Sequence, residues 1–138
     1  MDDIEAIKRL KARYFRTMDT KDWTGMRESF VADAVIDLSE AGGGEPITGA
    51  DTFISFLKET IGDHNTVHHA HMPEIELTSE TTATGIWALE DLIRWTDGSE
   101  LHGYGHYHEV YRKIDGVWRI ESLRVTRLRL DLTPGTAP

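Results

Sequence analysis

The chain has no cysteine among its 138 residues, which removes disulfides, thiol nucleophiles and thiolate metal ligands together. It also lacks any apolar run approaching the roughly 20 residues that a membrane-spanning helix needs. The start, Met1-Asp2-Asp3-Ile4-Glu5, has neither the basic nor the apolar region of a secretory signal, so a cytoplasmic location is the expectation. Positive charge is in short supply: 15 Lys and Arg stand against 24 Asp and Glu, a formal net charge of −9. Nucleic acid, whose phosphates need a basic footprint, is therefore not an expected partner, and neither is a membrane. No internal repeat and no linker divides the chain, so one domain over 1–132 is expected, with a flexible tail over 133–138.

What is present is strongly patterned. Ile4, Ile7, Leu10, Lys11, Tyr14 and Met18 recur at spacings of three and four, which predicts an amphipathic helix from Asp3 to about Asp19, capped by Asp2 or Asp3. Residues 21–30 read as a connection and a second helix capped by Asp22. A strand follows, beginning near Ala34. The stretch 41–46, rich in glycine, is a loop and not a phosphate cradle, because it has neither the Lys nor the helix start of one. Ile47-Thr48-Gly49 is a short strand or turn, and Ala50 or Asp51 opens a helix with Phe53, Ile54, Phe56, Leu57 and Ile61 on its buried side. Four strands then dominate: 66–77, interrupted by Pro73, which prefers an edge or a bulge; 81–95; 99–114; and 117 to about 130. Asp115-Gly116 is a hairpin turn. Helices first and a meander after them predict an α+β fold. Its form would be a cone-shaped α+β barrel, a strongly curved, mostly antiparallel sheet with the N-terminal helices packed on it and a pocket at its mouth.

Four of the seven histidines fall between positions 64 and 71. Such a cluster admits an acid–base site, a metal site or a polar surface. Strand alternation sends His69 and His71 to one face and His68 to the other, with His64 in the approach loop. A metal site needs about three convergent ligands. His106-Tyr107-His108 offers two imidazoles on one face without a matching third, so neither a metal nor a cofactor is expected. Asp19, at the end of the first helix, can either terminate it or hydrogen-bond one ring nitrogen of a histidine and leave the other as a base; Tyr14 beside it can fill core or face a cavity. Trp87, Leu89, Asp91 and Ile93 share a strand face. An acid among apolar neighbours must be paired, protonated or functional, and Arg94, Arg112 and Arg124 are candidate partners for Asp91. One of the last-strand cations, Arg119, Arg124, Arg127 or Arg129, could reach the cavity and stabilise an enolate-like oxygen. Trp87, Leu89, Ile93 and Tyr107 are expected to contact a bound ligand. An open sheet with Trp87, Trp95, Tyr104 and Tyr107 must cover both faces, so a homodimer is expected.

The run from His106 to Ile120, an aromatic strand followed by Asp-Gly and Trp-Arg-Ile, resembles the SnoaL-like members of the nuclear transport factor 2-like superfamily, and the likeness extends over nearly the whole chain. In scytalone dehydratase, the bile-acid 7α-dehydratases and hexachlorocyclohexane dehydrochlorinase, an Asp ends the first helix and a His sits in a Thr-x-His strand. Asp19 and the His68 of Thr66-Val67-His68 match those positions. Tyr14 and Asp91 match two more residues of the bile-acid dehydratase pattern, and its arginine falls on Arg124, with Arg127 behind it. The second histidine of scytalone dehydratase is replaced by Ile93. The resemblance implies a cofactor-independent, dehydratase-like lyase acting on a small, largely apolar cyclic, steroid-like or polyketide-like ligand. His68 would be the base, Asp19 its orienting partner, Tyr14 a donor, and Asp91 an aid to proton transfer. An isomerase or polyketide cyclase would use the same pair. A non-catalytic small-molecule-binding or assembly module would leave Asp19 and His68 apart.

Overall fold

The structure, a computed structural model, describes residues 1–135. Helix α1 (Asp3–Asp19) is capped by Asp2, whose carboxylate accepts from the Glu5 N–H at 2.8 Å. Its periodic stripe is the buried one: Ile7, Leu10, Lys11, Tyr14, Thr17 and Met18. The helix ends in a Schellman motif, with the Asp22 N–H reaching Thr17 O at 2.8 Å and the Lys21 N–H reaching Met18 O at 3.1 Å. Lys21 occupies the left-handed position of that motif (φ 61), where glycine is usual and any other residue costs about 1–2 kcal/mol. Asp22 then caps the short α2 (Trp23–Arg27).

Strand β1 (Phe30–Asp37) begins earlier than the predicted start near Ala34, because α2 is only five residues long. Phe30 already lies beside Ile120 and is buried. A 3₁₀ turn (Ser39–Ala41), β2 (Ile47–Thr48) and α3 (Ala50–Ile61) follow. Phe53, Ile54, Leu57 and Ile61 of α3 are buried, and Phe56 is only partly so. Four long strands complete the chain: β3 (Asn65–Leu77), β4 (Thr82–Arg94), β5 (Glu100–Ile114) and β6 (Val117–Thr133).

These strands form one sheet in the order β2-β1-β6-β5-β4-β3, with β1 parallel to β6 and every other pair antiparallel. The α+β class and the mostly antiparallel sheet are as the sequence predicts. The barrel is not closed, however: β2 and β3 are free edges. Asp115 (φ 51) and Gly116 (φ 80) make the primed hairpin turn. Pro73 lies on the edge strand, where a bulge shifts the register between His71 and Glu74 and holds Met72 at φ 52. β6 runs past Leu130 as far as Thr133, which pairs with Glu100, so the expected tail begins later than 133, and positions 136–138 of it lie outside the described residues.

One buried feature has only a faint signal in the sequence, the place of Lys11 in the apolar stripe and of Glu109 between two inward tyrosines. The Lys11 ammonium meets Glu109 of β5 at 2.6 Å, with both side chains essentially inaccessible. The Nζ sits 3.7 Å and 3.6 Å from the ring centroids of Tyr14 and Tyr107. Glu109 also accepts from the Tyr111 hydroxyl at 2.6 Å, and that oxygen accepts from Trp87 Nε1 at 2.8 Å. Burial pushes the Lys11 ammonium down to about 8 even though Glu109 opposes the shift. A satisfied network of this kind fixes the relative position of α1 and the sheet at the point where Tyr14 and Tyr107 leave it for the cavity.

Candidate active site

A cavity of about 380 Å³ opens between α1, α3, the loop after β1 and the inner face of β4–β6. Most of its wall is apolar, with Met18, Phe53, Phe56, Leu57, Ile93 and Trp95 prominent. Its polar groups are few: Tyr14, Thr60, His68, Asp91, Tyr107 and Arg127. This is the composition of a site for a small organic molecule held by shape and oriented by a handful of polar contacts.

Asp19 and His68, 49 positions apart in sequence, meet at the cavity wall. His68 Nδ1 lies 2.7 Å from Asp19 Oδ1, and the His68 backbone N–H donates to Asp19 Oδ2 at 2.8 Å. The Thr66 hydroxyl donates to Oδ1 at 2.9 Å. Three donors thus hold one carboxylate in a fixed orientation, and it in turn directs the imidazole. With Nδ1 committed to Asp19, Nε2 is the nitrogen left for the cavity. The Phe15 ring stacks on the imidazole, 6.4 Å between centroids and 14° from parallel. The His68 side chain retains 10% exposure and Asp19 20%, enough for a ligand to reach the ring but little water. Strand alternation puts His68 on the inner face while His69 and His71 point outward, as predicted.

Tyr14 lines the cavity and is almost fully buried. Burial first, and then the negative Glu109, raise its hydroxyl well above the usual tyrosine range, so the phenol is a donor and not an anion. Tyr107 is raised for the same leading reason. Asp91 also lines the cavity, but its partner is none of the three predicted. Arg127 clasps it with two bonds, Nη1 to Oδ1 at 2.7 Å and Nη2 to Oδ2 at 3.1 Å. Gly103, the residue paired with Asp91 across β4 and β5, leaves the space in which this ion pair sits.

Arg124 does not reach the cavity. It is half exposed, 3.9 Å from Glu40, because it alternates to the outer face of β6 while Val125 and Arg127 turn inward. Arg127 is the arginine that lines the cavity, and the spacing 123, 125, 127 of inward residues on β6 is the signal that identifies it. Two expected ligand contacts also fail. Trp87 and Leu89 are on the inner face but lie behind α1 in the core, and Trp87 is engaged with Tyr111. Only Ile93 and Tyr107 of that group line the cavity. Ala41, Gly42 and Gly43, read from the sequence as a plain loop, form part of its wall. His64 lies in the turn before β3, its ring edge-on to Trp95. His106 and His108 sit on the outer face with ring centroids 6.3 Å apart, His108 bonded to Thr126 at 3.1 Å. Among the described residues no three His, Asp or Glu side chains converge as a metal site would need.

The SnoaL-like domain family matches residues 1–124 of this chain. A protein of Gibberella zeae named "Probable cyclase FGR4" is 27% identical, over 88% of this chain and 89% of its own length. Among solved structures, the hexachlorocyclohexane dehydrochlorinase LinA-type3 of Novosphingobium barchaimii LL02 superposes with a TM-score of 0.83 at 17% identity, over 97% of this chain and 92% of that one. A "Putative Scytalone Dehydratase" of Novosphingobium aromaticivorans DSM 12444 superposes with a TM-score of 0.84 at 24% identity, over 99% and 92%. At these identities the structural likeness is one of fold.

Proposed function

The chain belongs to the SnoaL-like domain family, and from that premise we propose that it is a cofactor-independent lyase, dehydratase-like, acting on a small and largely apolar cyclic molecule. The observation that carries the proposal is the Asp19–His68 contact at the wall of an otherwise apolar cavity. The relatives named dehydratase, dehydrochlorinase and cyclase support the general class.

In this reading His68 Nε2 removes a proton beside a carbonyl or a leaving group, and Asp19 stabilises the imidazolium that forms. Tyr14 donates to the carbonyl or leaving oxygen. Asp91 has both oxygens occupied by Arg127, so its role becomes that of holding the guanidinium at the cavity rather than of moving a proton. The pair with Asp91 uses two of the five guanidinium N–H groups, and Arg127 Nε is buried without a partner among the described residues, so the group keeps donors to spare. A guanidinium placed where negative charge develops stabilises an enolate-like oxygen far better in such a cavity than in water. The volume of about 380 Å³ suits a fused-ring, steroid-like or polyketide-like ligand.

A polyketide-type cyclase is the second reading, favoured by the Gibberella zeae relative, and an isomerase would use the same residues. A purely binding module is disfavoured because the two groups it would leave apart are in contact. Ring opening of 5-nitrobenzisoxazole, in which a base removes the C3 proton while negative charge develops on the departing phenolate oxygen, supplies a first assay that reads both the base and a group stabilising the oxyanion. His68→Ala should lower its rate by about two to four powers of ten. Wild-type turnover in that variant would remove His68 from the mechanism. Product mass from a panel of cyclic hydroxy-ketones then separates the classes: loss of water marks a lyase, unchanged mass an isomerase or cyclase.

A further inference from the structure

Lys21 stands outside the cavity, and nothing in the chemistry above requires it. Its ammonium nevertheless donates to the Thr66 hydroxyl at 2.7 Å, and that hydroxyl donates to Asp19 Oδ1 at 2.9 Å. An ammonium has donors only, while a hydroxyl has one proton and two lone pairs. Once Thr66 accepts from Lys21, its single proton is turned toward Asp19. Thr66 is almost completely buried, so no water competes for that proton. Lys21 thus donates to Thr66 and Thr66 to Asp19, while His68 donates to the same carboxylate from the other side, so two lines of donors converge on Asp19.

The backbone supplies an independent observation. Lys21 holds the left-handed position of the Schellman motif that ends α1, the position glycine fills best. The helix dipole favours a lysine near a C-terminus, yet Thr20, one residue earlier, could carry it without a positive φ. A strained residue kept where an unstrained one is available points to work done by its side chain. That side chain is drawn inward against solvation: burial lowers the Lys21 ammonium, and Asp19 opposes the shift.

We propose that Lys21 is a positioning residue that fixes the Thr66 hydroxyl and, through it, the Asp19 carboxylate against which His68 is aligned. The inference rests on His68 serving as the base, and it deepens that reading. Lysine contributes a donor and a charge from outside the cavity, so the substrate never meets it.

The test compares Lys21→Met, Lys21→Arg and Lys21→Gly with wild type and His68→Ala, using 5-nitrobenzisoxazole as the probe. A second readout needs no turnover: water exchange of the His68 Nδ1 proton, followed by proton NMR. Lys21→Met should lower kcat about tenfold or more with KM little changed, since only the alignment of the base is affected. The Nδ1 proton should exchange faster. Lys21→Arg, also a donor only, should restore both. Lys21→Gly should lose the alignment while matching or exceeding wild type in thermal stability, which a merely structural role cannot produce. Wild-type kcat and exchange in Lys21→Met and Lys21→Gly would overturn the proposal, as would a Lys21→Gly variant whose activity falls only together with its stability. If His68→Ala loses turnover and Lys21→Met does not, the role of Lys21 alone fails. If His68→Ala turns over normally, the base assignment fails, and proton exchange still decides whether Lys21 holds the carboxylate.

Discussion

Replacing Gly103 by alanine tests whether the Asp91–Arg127 pair belongs to the chemistry or only to the fold. A Cβ at position 103 would stand 2.2 Å from Arg127 Nη1, 2.4 Å from Asp91 Oδ1 and 2.8 Å from Arg127 Cζ. The backbone there is not left-handed, so alanine is conformationally acceptable and the perturbation is one of space alone. To reach ordinary contact at 3.4 Å the guanidinium must retreat by about 1.2 Å. Both side chains are flexible at their ends, so the pair can re-form in a shifted place, and the stability cost is the overpacking range of about 1–3 kcal/mol. At a few degrees of melting temperature per kcal/mol, the drop is about 3–10 °C. A catalytic group moved by about 1 Å loses about 100-fold in rate. The loss should appear in the ring opening of 5-nitrobenzisoxazole, with thermal denaturation as the second measurement and a crystal structure locating the guanidinium. Wild-type turnover in a variant whose arginine has visibly moved would refute the assignment of Arg127 to the reaction. Unchanged turnover and stability together would refute the spatial argument itself.

Three further outcomes can be measured. Lys11→Met should cost about 3–5 kcal/mol because Glu109 is left buried and charged, and Lys11→Met/Glu109→Gln should recover much of it in a double-mutant cycle; additive losses would mean the two groups do not interact. The folded Lys11 value of about 8 lies below its unfolded value of 10.5, so the unfolded chain binds the extra proton between them. The stability owed to Lys11 therefore rises with pH across that window, and the gap between wild type and Lys11→Met should widen from about pH 8 to pH 10 in chemical denaturation. In light scattering the expected homodimer has twice the mass of the 15.6 kDa chain, and a monomeric mass at working concentrations would exclude it.

The parts of the fold legible in the sequence are those with a local cause. The spacing of Ile7, Leu10, Tyr14 and Met18 specifies α1, and Asp115-Gly116 specifies its hairpin, because each is a property of a few adjacent residues. Asp19 and His68 were recognisable as a pair through resemblance and not through spacing, since 49 residues separate them and only the packing of α1 on β3 brings them together. Which arginine enters the cavity is hard to read from the sequence for a related reason. Arg124 and Arg127 differ in face by parity along β6, and the bulge between Val110 and Tyr111 resets that parity against β5. The Lys11–Glu109 pair, 98 residues apart, is nearly silent in the sequence because each member looks like an ordinary charge on a patterned element. Glu109 does alternate with Tyr107 and Tyr111 on the inward face, and an acid between two inward tyrosines is the clue it leaves.

The strand that carries His68 is also the last strand of the sheet. An exposed edge of N–H and C=O groups invites a strand from another chain, and proteins normally blunt such edges. Along β3 the kink at Met72–Pro73 interrupts the row, and at His68 the outward N–H is already taken by the Asp19 carboxylate. The group that aligns the imidazole therefore also guards the sheet against intermolecular pairing. On the proposed reading a well-placed base and a blunted sheet edge depend on the same side chain, so the carboxylate at position 19 has a structural task that does not depend on the reaction.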